Sequence, residues 1–437
     1  MIPIPRLSNR HAWLESFMRF YTLPLLALGF CTLAGSTRAA DWPRFRGPGG
    51  LGTAPDKNLP TTWSATENVV WKTALPGAGS SSPIVVGKKV FVTCYKGYGD
   101  GRGEGAMKDL KLILVCLDRK GAILWQQEVP AELPEEPYRG YVANHGYASS
   151  TPVSDGERVF VFFGKTGVFA YDLAGNQVWR QSVGTNKHSW GSGSSPILYK
   201  DLLIINATVE SGSLLALNKK DGSRAWVANG MTYSWTTPQL VSVPGGKNEV
   251  VVSIRNAVLG FDPDTGDALW QCAGIDDYVC SSIVAHDGVA FVIGARQGEA
   301  MAIRAGGKGD VSRTHIVWKI RKGSNVSSPV YHEGHLYWTK EQRGVIYCAR
   351  ADNGTLVYEE KLAPQIDRIY ASPVVADGKI YYVSRTEGTY VIDARPQFRV
   401  LAHNTLGDDS VFNGSPAIDG SQILLRSDRY LYCLGAK

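Results

Sequence analysis

The sequence predicts an all-β fold, an eight-bladed β-propeller built from four-stranded antiparallel blades. Three observations predict it: a short phrase repeated eight times, a tight turn followed by an aromatic residue that ends most repeats, and unmatched strands at the two ends of the chain. Regular repeats of this length are typical of propeller blades, each of which buries its faces against its neighbours. A closed ring of repeats is therefore the expected architecture.

The repeated phrase is Ser-Ser-Pro, or a near relative of it, followed by an apolar run. After a lengthened first unit of 69 residues, its copies are spaced 42–46 residues apart. Ile283 fills the one slot that has no proline. The seven prolines are Pro83, Pro152, Pro196, Pro238, Pro329, Pro373 and Pro416. The period is that of a four-stranded blade.

The second mark is a hairpin that ends in an aromatic residue. Its best copy has Asp262 at the end of a strand, Gly266 in the turn and Trp270 on the outer strand. The glycine supplies a positive φ, and the Trp is expected to pack between neighbouring blades. Weaker copies end at Trp125, Trp179, Trp226, Trp318 and Tyr358.

The two ends of the chain complete the ring. After Pro416 there is room for two further strands, at residues 423–426 and 430–434, but not for an outermost strand. Near the other end, residues 68–75 contain Trp71 and precede the first repeat without a blade of their own. We predict that this N-terminal strand completes the last blade, which leaves no open edge where the ends meet.

Residues 1–40 are predicted to be a signal peptide, and residues 41–437 a single propeller domain. Arg6, Arg10 and Arg19 lie before or at the start of an apolar stretch, and small residues follow it as a cleavage site. The apolar stretch of roughly fifteen residues is shorter than the ~20 needed to span a bilayer. The predicted location is periplasmic or secreted, with no transmembrane segment after cleavage; lipid attachment at Cys31 is an alternative.

Composition and charge exclude some other classes. The formal net charge is +6, and the basic residues are scattered rather than gathered in a stripe, so no nucleic-acid partner is expected. The seven cysteines contain no Cys-x-x-Cys motif, and we predict no metal site. A disulfide is allowed in an exported protein but cannot be assigned from these spacings.

These motifs resemble those of the pyrroloquinoline-quinone-like (PQQ-like) propeller repeat family over essentially all of residues 41–437. That family includes the outer-membrane barrel assembly lipoprotein propeller, which is a scaffold, and quinone-dependent dehydrogenases of alcohols and sugars. The opening run from Asp41 to Pro48 is also similar to the mature start of exported propellers abundant in planctomycete-type bacteria.

The dehydrogenase branch implies a definite cofactor site. In those enzymes the quinone lies between a Trp and a disulfide of adjacent cysteines, with calcium held by Glu, Asn and Asp. This chain has no Cys-Cys pair and lacks the long insertions around the cofactor. The resemblance therefore favours a non-catalytic protein without cofactor, and PQQ with calcium is the alternative.

Loops that lead into the innermost strands should meet at one mouth of the central channel. They carry aromatic, acidic, amide and imidazole groups, which suit a polar ligand such as a sugar or a peptide segment. In the alternative, the aromatic groups plug the channel and the polar groups satisfy backbone ends. The candidate ligand-binding residues are His145, Tyr147, His188, Trp190, Tyr233, Trp235, Asp276, Asp277, Tyr278, Arg368, Tyr370, Asp408 and Asn413.

The lengthened first unit supplies two insertions, at residues 94–110 and 130–144. Long loops on a rigid scaffold often carry recognition, so these are predicted partner contacts, with a tolerated insertion as the alternative. The candidate residues are Tyr98, Arg102, Tyr138 and Arg139. No catalytic residue is predicted. The sequence thus favours a binding or assembly platform for a protein or polysaccharide, with a PQQ-dependent alcohol or sugar dehydrogenase as the alternative.

Overall fold

The computed structural model describes residues 41–101, 105–294, 298–364 and 366–436. The predicted signal peptide and Arg102 lie outside these residues. Across the described ranges, no helix has both the length and the apolar character needed to cross a membrane. Short helices occur only in connections: 3-10 turns at Pro48–Gly50, Met107–Asp109 and Gly164–Thr166, and single α-turns α1 (Val142–His145) and α2 (Thr208–Ser211).

Eight antiparallel sheets form the blades of a propeller, as the repeats predict. Two strands precede the first blade: β1 (Thr53–Ala54) and β2 (Val69–Ala74). The first blade contains β3 (Ile84–Val86), β4 (Lys89–Lys96), β5 (Lys111–Asp118) and β6 (Ile123–Pro130). The second contains β7 (Val153–Ser154), β8 (Arg158–Phe162), β9 (Val168–Asp172) and β10 (Gln177–Gln181). The third contains β11 (Ile197–Tyr199), β12 (Leu202–Ala207), β13 (Ser213–Asn218) and β14 (Arg224–Asn229).

The remaining blades follow the same order from the channel outwards. The fourth contains β15 (Gln239–Ser242), β16 (Asn248–Ile254), β17 (Ala257–Phe261) and β18 (Ala268–Ala273). The fifth contains β19 (Val284–His286), β20 (Val289–Gly294), β21 (Glu299–Arg304) and β23 (Ile316–Ile320); the two-residue β22 (Gly309–Asp310) between β21 and β23 pairs in parallel with β18 of the fourth blade. The sixth contains β24 (Val330–His332), β25 (His335–Lys340), β26 (Val345–Arg350) and β27 (Leu356–Lys361). The seventh contains β28 (Val374–Ala376), β29 (Lys379–Val383), β30 (Thr389–Asp393) and β31 (Val400–Asn404).

The eighth blade joins the two ends of the chain. Its three C-terminal strands are β32 (Ala417–Asp419), β33 (Gln422–Arg426) and β34 (Tyr430–Leu434). β2 adds the fourth strand by antiparallel pairing with β34, in which Trp71 lies opposite Cys433. This is the pairing that the sequence predicts for residues 68–75.

The aromatic residues of the outer strands connect each blade to the next. In five blade pairs an indole N–H donates to a backbone carbonyl in the neighbouring hairpin, at 2.8–3.2 Å. The hairpin glycine makes room for the ring: Gly266 has a φ of +76°, and a Cβ there would lie 2.5 Å from Trp226. The donors are Trp71, Trp125, Trp179, Trp226 and Trp318.

A ring of eight hydroxyl groups lies at the centre of the propeller. Each belongs to the residue immediately before the proline of the repeated phrase, or before Ile283, and accepts the backbone N–H of its counterpart in the preceding blade at 2.9–3.2 Å. The residues are Ser82, Thr151, Ser195, Thr237, Ser282, Ser328, Ser372 and Ser415. Each of these buried N–H groups is thus satisfied by a side chain of the adjacent blade.

The N-terminal plug, residues 41–54, lies across one end of the channel. Trp42 exchanges two backbone hydrogen bonds of 2.9 Å with Val85 of the first blade, and the Ser154 N–H of the second blade donates to Pro43 O at 2.9 Å. These contacts lie three residues beyond the hydroxyl ring. The plug therefore occupies the channel end opposite the loops that precede the innermost strands.

The plug then reaches the far side of the ring. Arg46 donates to Pro329 O of the sixth blade, which stands opposite the second blade. Gln239 of the fourth blade donates to Gly49 O at 2.8 Å, and β1 pairs in parallel with β28 of the seventh blade. One short segment thus contacts five blades and closes that end of the channel.

Candidate functional site

A cavity of about 170 Å³ lies on the channel axis, between the plug and the loops at the opposite mouth. Its wall includes all eight residues of the hydroxyl ring, and Phe45 is the one plug residue that lines it. Six of the predicted binding residues also line it: His145, Trp190, Trp235, Tyr278, Tyr370 and Asn413. The inter-blade loops thus bring groups from different blades to one place.

Aromatic rings form one wall of the cavity, with Trp190 at its centre. The Trp190 ring centroid lies 4.9 Å from that of Trp235, 4.5 Å from that of Tyr278 and 4.8 Å from that of Tyr141. The Trp235 indole N–H donates to Gly191 O at 2.8 Å, which fixes the orientation of that ring. Closely packed, oriented rings offer a stacking surface to a flat or pyranose-like ligand.

The polar wall is held by hydrogen bonds around His145. Its Nε2 lies 2.7 Å from Trp190 O and its Nδ1 lies 2.6 Å from Ser149 Oγ. A carbonyl can only accept, so Nε2 carries the proton and Nδ1 accepts from the serine. Burial lowers the pKa of His145, although its hydrogen bond to the Trp190 carbonyl opposes the shift, so the ring is neutral near pH 7.

Asn413 extends the polar wall. Its amide nitrogen donates to Asn144 O at 2.8 Å and to Ser80 Oγ at 3.1 Å, while its oxygen accepts from Arg385 Nε at 3.0 Å. Arg385 also lies over the Tyr370 ring, 4.6 Å from its centroid. The Arg385 guanidinium therefore stands behind the wall and orients cavity residues without lining the cavity itself.

The lining is uncharged. None of the described residues that line the cavity is Asp, Glu, Lys or Arg. Cys280 is the one thiol among them, and burial raises its pKa to about 12, so it is protonated at neutral pH. Burial likewise raises the pKa of Tyr278, whose hydroxyl donates to Asn325 Oδ1. This donor set suits a neutral ligand with hydroxyl or amide groups.

A quinone cofactor does not fit these residues. PQQ carries three carboxylates, and its calcium ion needs oxygen ligands that include carboxylates. The described lining of the central cavity contains no basic side chain for the carboxylates and no acidic one for calcium; Lys340, Glu341 and Arg368 line the neighbouring cavity instead. In the described part of the chain, no group of three or more His, Cys, Asp or Glu residues could hold a metal.

Two predicted residues stand at the rim of the cavity. His188 packs edge-on against Trp190 and Trp235, with ring centroids 5.5 and 5.0 Å apart, and burial lowers its pKa. Tyr233 lies 4.8 Å from His188 and is 47% exposed. Both therefore extend the aromatic wall outwards.

The predicted carboxylates are not brought into the cavity. The Asp276 side chain is 81% exposed and 3.5 Å from Arg255. Asp277 accepts from the Tyr278 N–H at 2.8 Å. Asp408 is held inside the eighth blade: burial opposes its ionisation, but hydrogen bonds from Ser410, Ser427 and Tyr432 outweigh it and lower its pKa.

Arg368 belongs to a neighbouring cavity of about 320 Å³. That cavity also contains Lys340 and Glu341, and it shares Tyr141, Asn325 and Tyr370 with the central cavity. The mouth thus has a neutral central part and a charged side part.

The two insertions of the first unit pack together through tyrosines. Tyr147 lies 6.0 Å from Tyr98, 6.2 Å from Tyr138 and 5.3 Å from Tyr95, measured between ring centroids. Tyr147 therefore belongs to this tyrosine cluster and not to the cavity lining. The Tyr138 N–H donates to the Tyr98 hydroxyl at 3.2 Å, and Gly99 provides space, since a Cβ there would lie 2.3 Å from Tyr138.

The outer side of this cluster is open to solvent. Tyr138 is 37% exposed, and Arg139 beside it is also exposed. Arg102 lies outside the described residues. The described residues of the insertions thus place aromatic rings next to the channel mouth.

Three residues that line the cavity, Tyr141, Asn144 and Asn325, were not among the predicted binding residues. Tyr141 and Asn144 lie in the second insertion, and Asn325 precedes the sixth blade. The hydroxyl ring was hidden because its serines and threonines are part of the repeat phrase, where a purely structural role explains them. The presence of a serine or threonine at the same position of every repeat was the one feature of the sequence that indicated a continuous hydroxyl lining.

The closed ring and its central cavity define the chain as an eight-bladed propeller of the PQQ-like class. The chain belongs to the family described as outer membrane protein assembly factor BamB, which matches residues 111–360 and 256–396. A comparison with curated proteins gave no match.

Solved structures share the fold at low sequence identity. BamB from Moraxella catarrhalis is 12% identical, with a TM-score of 0.60 over 84% of this chain and 97% of that one. A europium-containing methanol dehydrogenase is 11% identical, with a TM-score of 0.61 over 90% and 98%. The quinohemoprotein alcohol dehydrogenase from Comamonas testosteroni is 12% identical, with a TM-score of 0.63 over 92% and 82%. Scaffold and enzyme thus share this architecture, and the fold does not decide between them.

Proposed function

We propose that this protein is an exported, non-catalytic propeller that binds a neutral polar ligand, a segment of a polysaccharide or of a partner protein, at its channel mouth. The observation that carries the proposal is the cavity wall: closely packed aromatic rings beside amides, a neutral imidazole and a ring of hydroxyls, with no charged side chain among the described lining residues. Such a wall supplies stacking and hydrogen bonding, and its one imidazole is held at both ring nitrogens, by Trp190 O and by Ser149 Oγ.

The exposed tyrosine cluster supports a second role for the same face, as a contact for a protein partner. Rigid aromatic residues contribute much of the binding energy at protein interfaces, because they bury a large area at low entropic cost. The family description, an outer membrane assembly factor, agrees with an assembly platform. The signal peptide predicted for residues 1–40 supports a location in the periplasm or outside the cell.

The test is a binding screen of the protein against bacterial polysaccharide fragments and uncharged peptides. Trp190→Ala and Trp235→Ala should each weaken binding about tenfold, since an aromatic contact contributes roughly 0.5–1.5 kcal/mol beyond its buried area. Tyr199→Ala, which removes a half-buried ring of β11 that does not line the cavity, is the matched control and should retain most of the affinity. If neither Trp substitution changes the affinity, the ligand does not bind in the cavity and the proposal is wrong.

The quinone-dependent dehydrogenase is tested separately, by incubation of the protein with PQQ and calcium followed by gel filtration. The proposal expects no stoichiometric quinone absorbance in the protein peak and no calcium-dependent dye reduction with alcohols or aldoses. Co-elution of the quinone with such activity would replace the binding platform by an oxidoreductase.

A further inference from the structure

Two arginines of the N-terminal plug are buried at the closed end of the channel. Arg44 is 8% exposed and Arg46 is 1% exposed. Neither forms an ion pair with any carboxylate among the described residues, whose salt bridges all involve other groups. A buried guanidinium without a counter-charge is strongly unfavourable, because desolvation is not offset by attraction.

The backbone around both side chains is shaped to admit them. A Cβ at Gly50 would lie 2.8 Å from Arg44 Nη2, and a Cβ at Gly52 would lie 2.7 Å from Arg46 Nη2. Both glycines have positive φ values, +71° and +73°. The turn after Arg46 thus leaves space where most residues would place side-chain atoms.

Only one nitrogen of the Arg46 guanidinium has defined partners. Arg46 Nη2 donates to Leu51 O at 3.2 Å and to Pro329 O. By contrast, Arg44 Nε, Arg46 Nε and Arg46 Nη1 are buried and have no hydrogen-bond acceptor in the described structure. Three buried N–H donors, one on Arg44 and two on Arg46, are therefore without an acceptor among the described residues.

The two cations are close enough to affect each other. Burial lowers the pKa of Arg46 to about 9, and the charge of Arg44 adds to that shift. Burial alone lowers the pKa of Arg44 to about 10. Both groups still carry a positive charge at neutral pH, so the repulsion between them persists.

We propose that a small inorganic anion, chloride or one of similar size, binds at the base of the channel between the guanidinium groups of Arg44 and Arg46. The anion accepts the three free N–H groups and neutralises part of the paired charge. It is a structural counter-ion that holds the plug in the ring. A larger organic anion is excluded by the burial of both side chains and by the contacts that the plug makes with five blades.

The experiment is thermal unfolding of halide-free protein in increasing sodium chloride, against sodium gluconate at equal ionic strength. Chloride should raise the melting temperature by about 3 °C at a hundredfold excess over its Kd, because it binds only the folded state. Arg44→Gln and Arg46→Gln should each abolish the difference between the salts. Arg395→Gln, whose side chain is 68% exposed, is the matched control and should retain it.

Crystals of the unaltered protein soaked in bromide give a second readout that does not depend on variants that fold. An anomalous peak within hydrogen-bond distance of Arg44 Nε and Arg46 Nη1 is the expected result. Water molecules on these nitrogens without a halide peak, or equal stabilisation by chloride and gluconate, would overturn the proposal.

Discussion

The backbone N–H of Ser415 donates to the hydroxyl oxygen of Ser82 at 3.0 Å. This bond joins the first and last copies of the repeated phrase and is the eighth link of the hydroxyl ring. β2 pairs with β34 in the same seam, and Trp71 donates its indole N–H to Arg119 O at 2.9 Å. The closure of the propeller is therefore bonded at both its inner and its outer radius.

Loss of the closing hydroxyl should destabilise the whole ring. In Ser82→Ala the Ser415 N–H stays buried without an acceptor, which costs about 1–3 kcal/mol of unfolding free energy. Urea denaturation measures the change. Ser421→Ala, on the surface, is the control and should be nearly neutral. An unchanged stability of Ser82→Ala would mean that water replaces the hydroxyl.

Stepwise truncation should separate the plug from the closing strand. A chain that begins at residue 56 lacks the plug but keeps β2, and should melt lower than the whole propeller while still unfolding cooperatively. A chain that begins at residue 76 also lacks β2, which exposes the β34 edge, and should melt lower again or aggregate. Equal melting temperatures for the two truncated chains would contradict closure through β2.

The glycine of the inter-blade hairpin should be required for packing as well as for its φ. Gly266→Ala places a Cβ 2.5 Å from Trp226, whereas Gly245→Ala, at a φ of +93°, meets nothing within 4 Å. Both substitutions strain the backbone, by roughly 1 kcal/mol. Gly266→Ala should cost about 1–3 kcal/mol more, from overpacking. Urea denaturation of the pair measures this difference, and equal losses would show that the Trp contact adds nothing.

Stability should fall as pH rises from about 4.5 to about 7, in part because of Glu210 in α2. Burial raises the pKa of Glu210 to about 7, although the hydrogen bond from Ser192 opposes the shift. The folded state binds the proton more tightly than the unfolded state, so the contribution is full at low pH and is lost through this window.

Glu210→Gln should remove that dependence. Relative to the unaltered protein, the variant should gain on the order of 2–3 kcal/mol between pH 4.5 and 7.5, at about 1.4 kcal/mol for each unit of pKa. Denaturation at several pH values checks it, with Glu132→Gln, which is 56% exposed, as the control. A gap between variant and parent that is constant with pH would contradict the assignment. Burial also raises the pKa of Glu135 to about 7, so some slope should persist.

The tyrosine cluster should contact a protein partner. Tyr138→Ala removes a 37% exposed ring from the edge of the cluster and should reduce partner capture at least tenfold without lowering the melting temperature by more than a few degrees. Tyr233→Ala, which removes an exposed ring elsewhere on the mouth, is the control. A pull-down with cross-linking measures both, and full capture by Tyr138→Ala would assign the insertions no role in recognition.

The periodic features of this molecule were predictable from the sequence. Three features follow from the repeat: the number of blades, the hairpin with its glycine and Trp, and the need for a terminal strand. Each copy of the repeat strengthens the prediction made from the others. The plug has no counterpart in the repeats. Its contact between Arg46 and Pro329 joins residues 283 positions apart and leaves no local pattern to recognise.

The loop residues were predicted only as a group. Trp190 and Asp408 both lie in or beside loops that lead to the mouth, yet the first lines the cavity and the second accepts hydrogen bonds inside the eighth blade. Which way a loop side chain points depends on its rotamer and on partners such as Ser427 and Tyr432. Those partners are remote in sequence, and their positions follow only from the folded ring.

Because the plug closes one end, the central channel of the propeller is open only at the mouth opposite the plug. A ligand enters and leaves the channel through the same mouth. A long polymer therefore cannot pass through the propeller and leave at the other end. Only a chain end, a branch or a protruding side group can reach Phe45 at the bottom. The proposed binding site would therefore select the ends and side groups of a polymer over its uninterrupted middle.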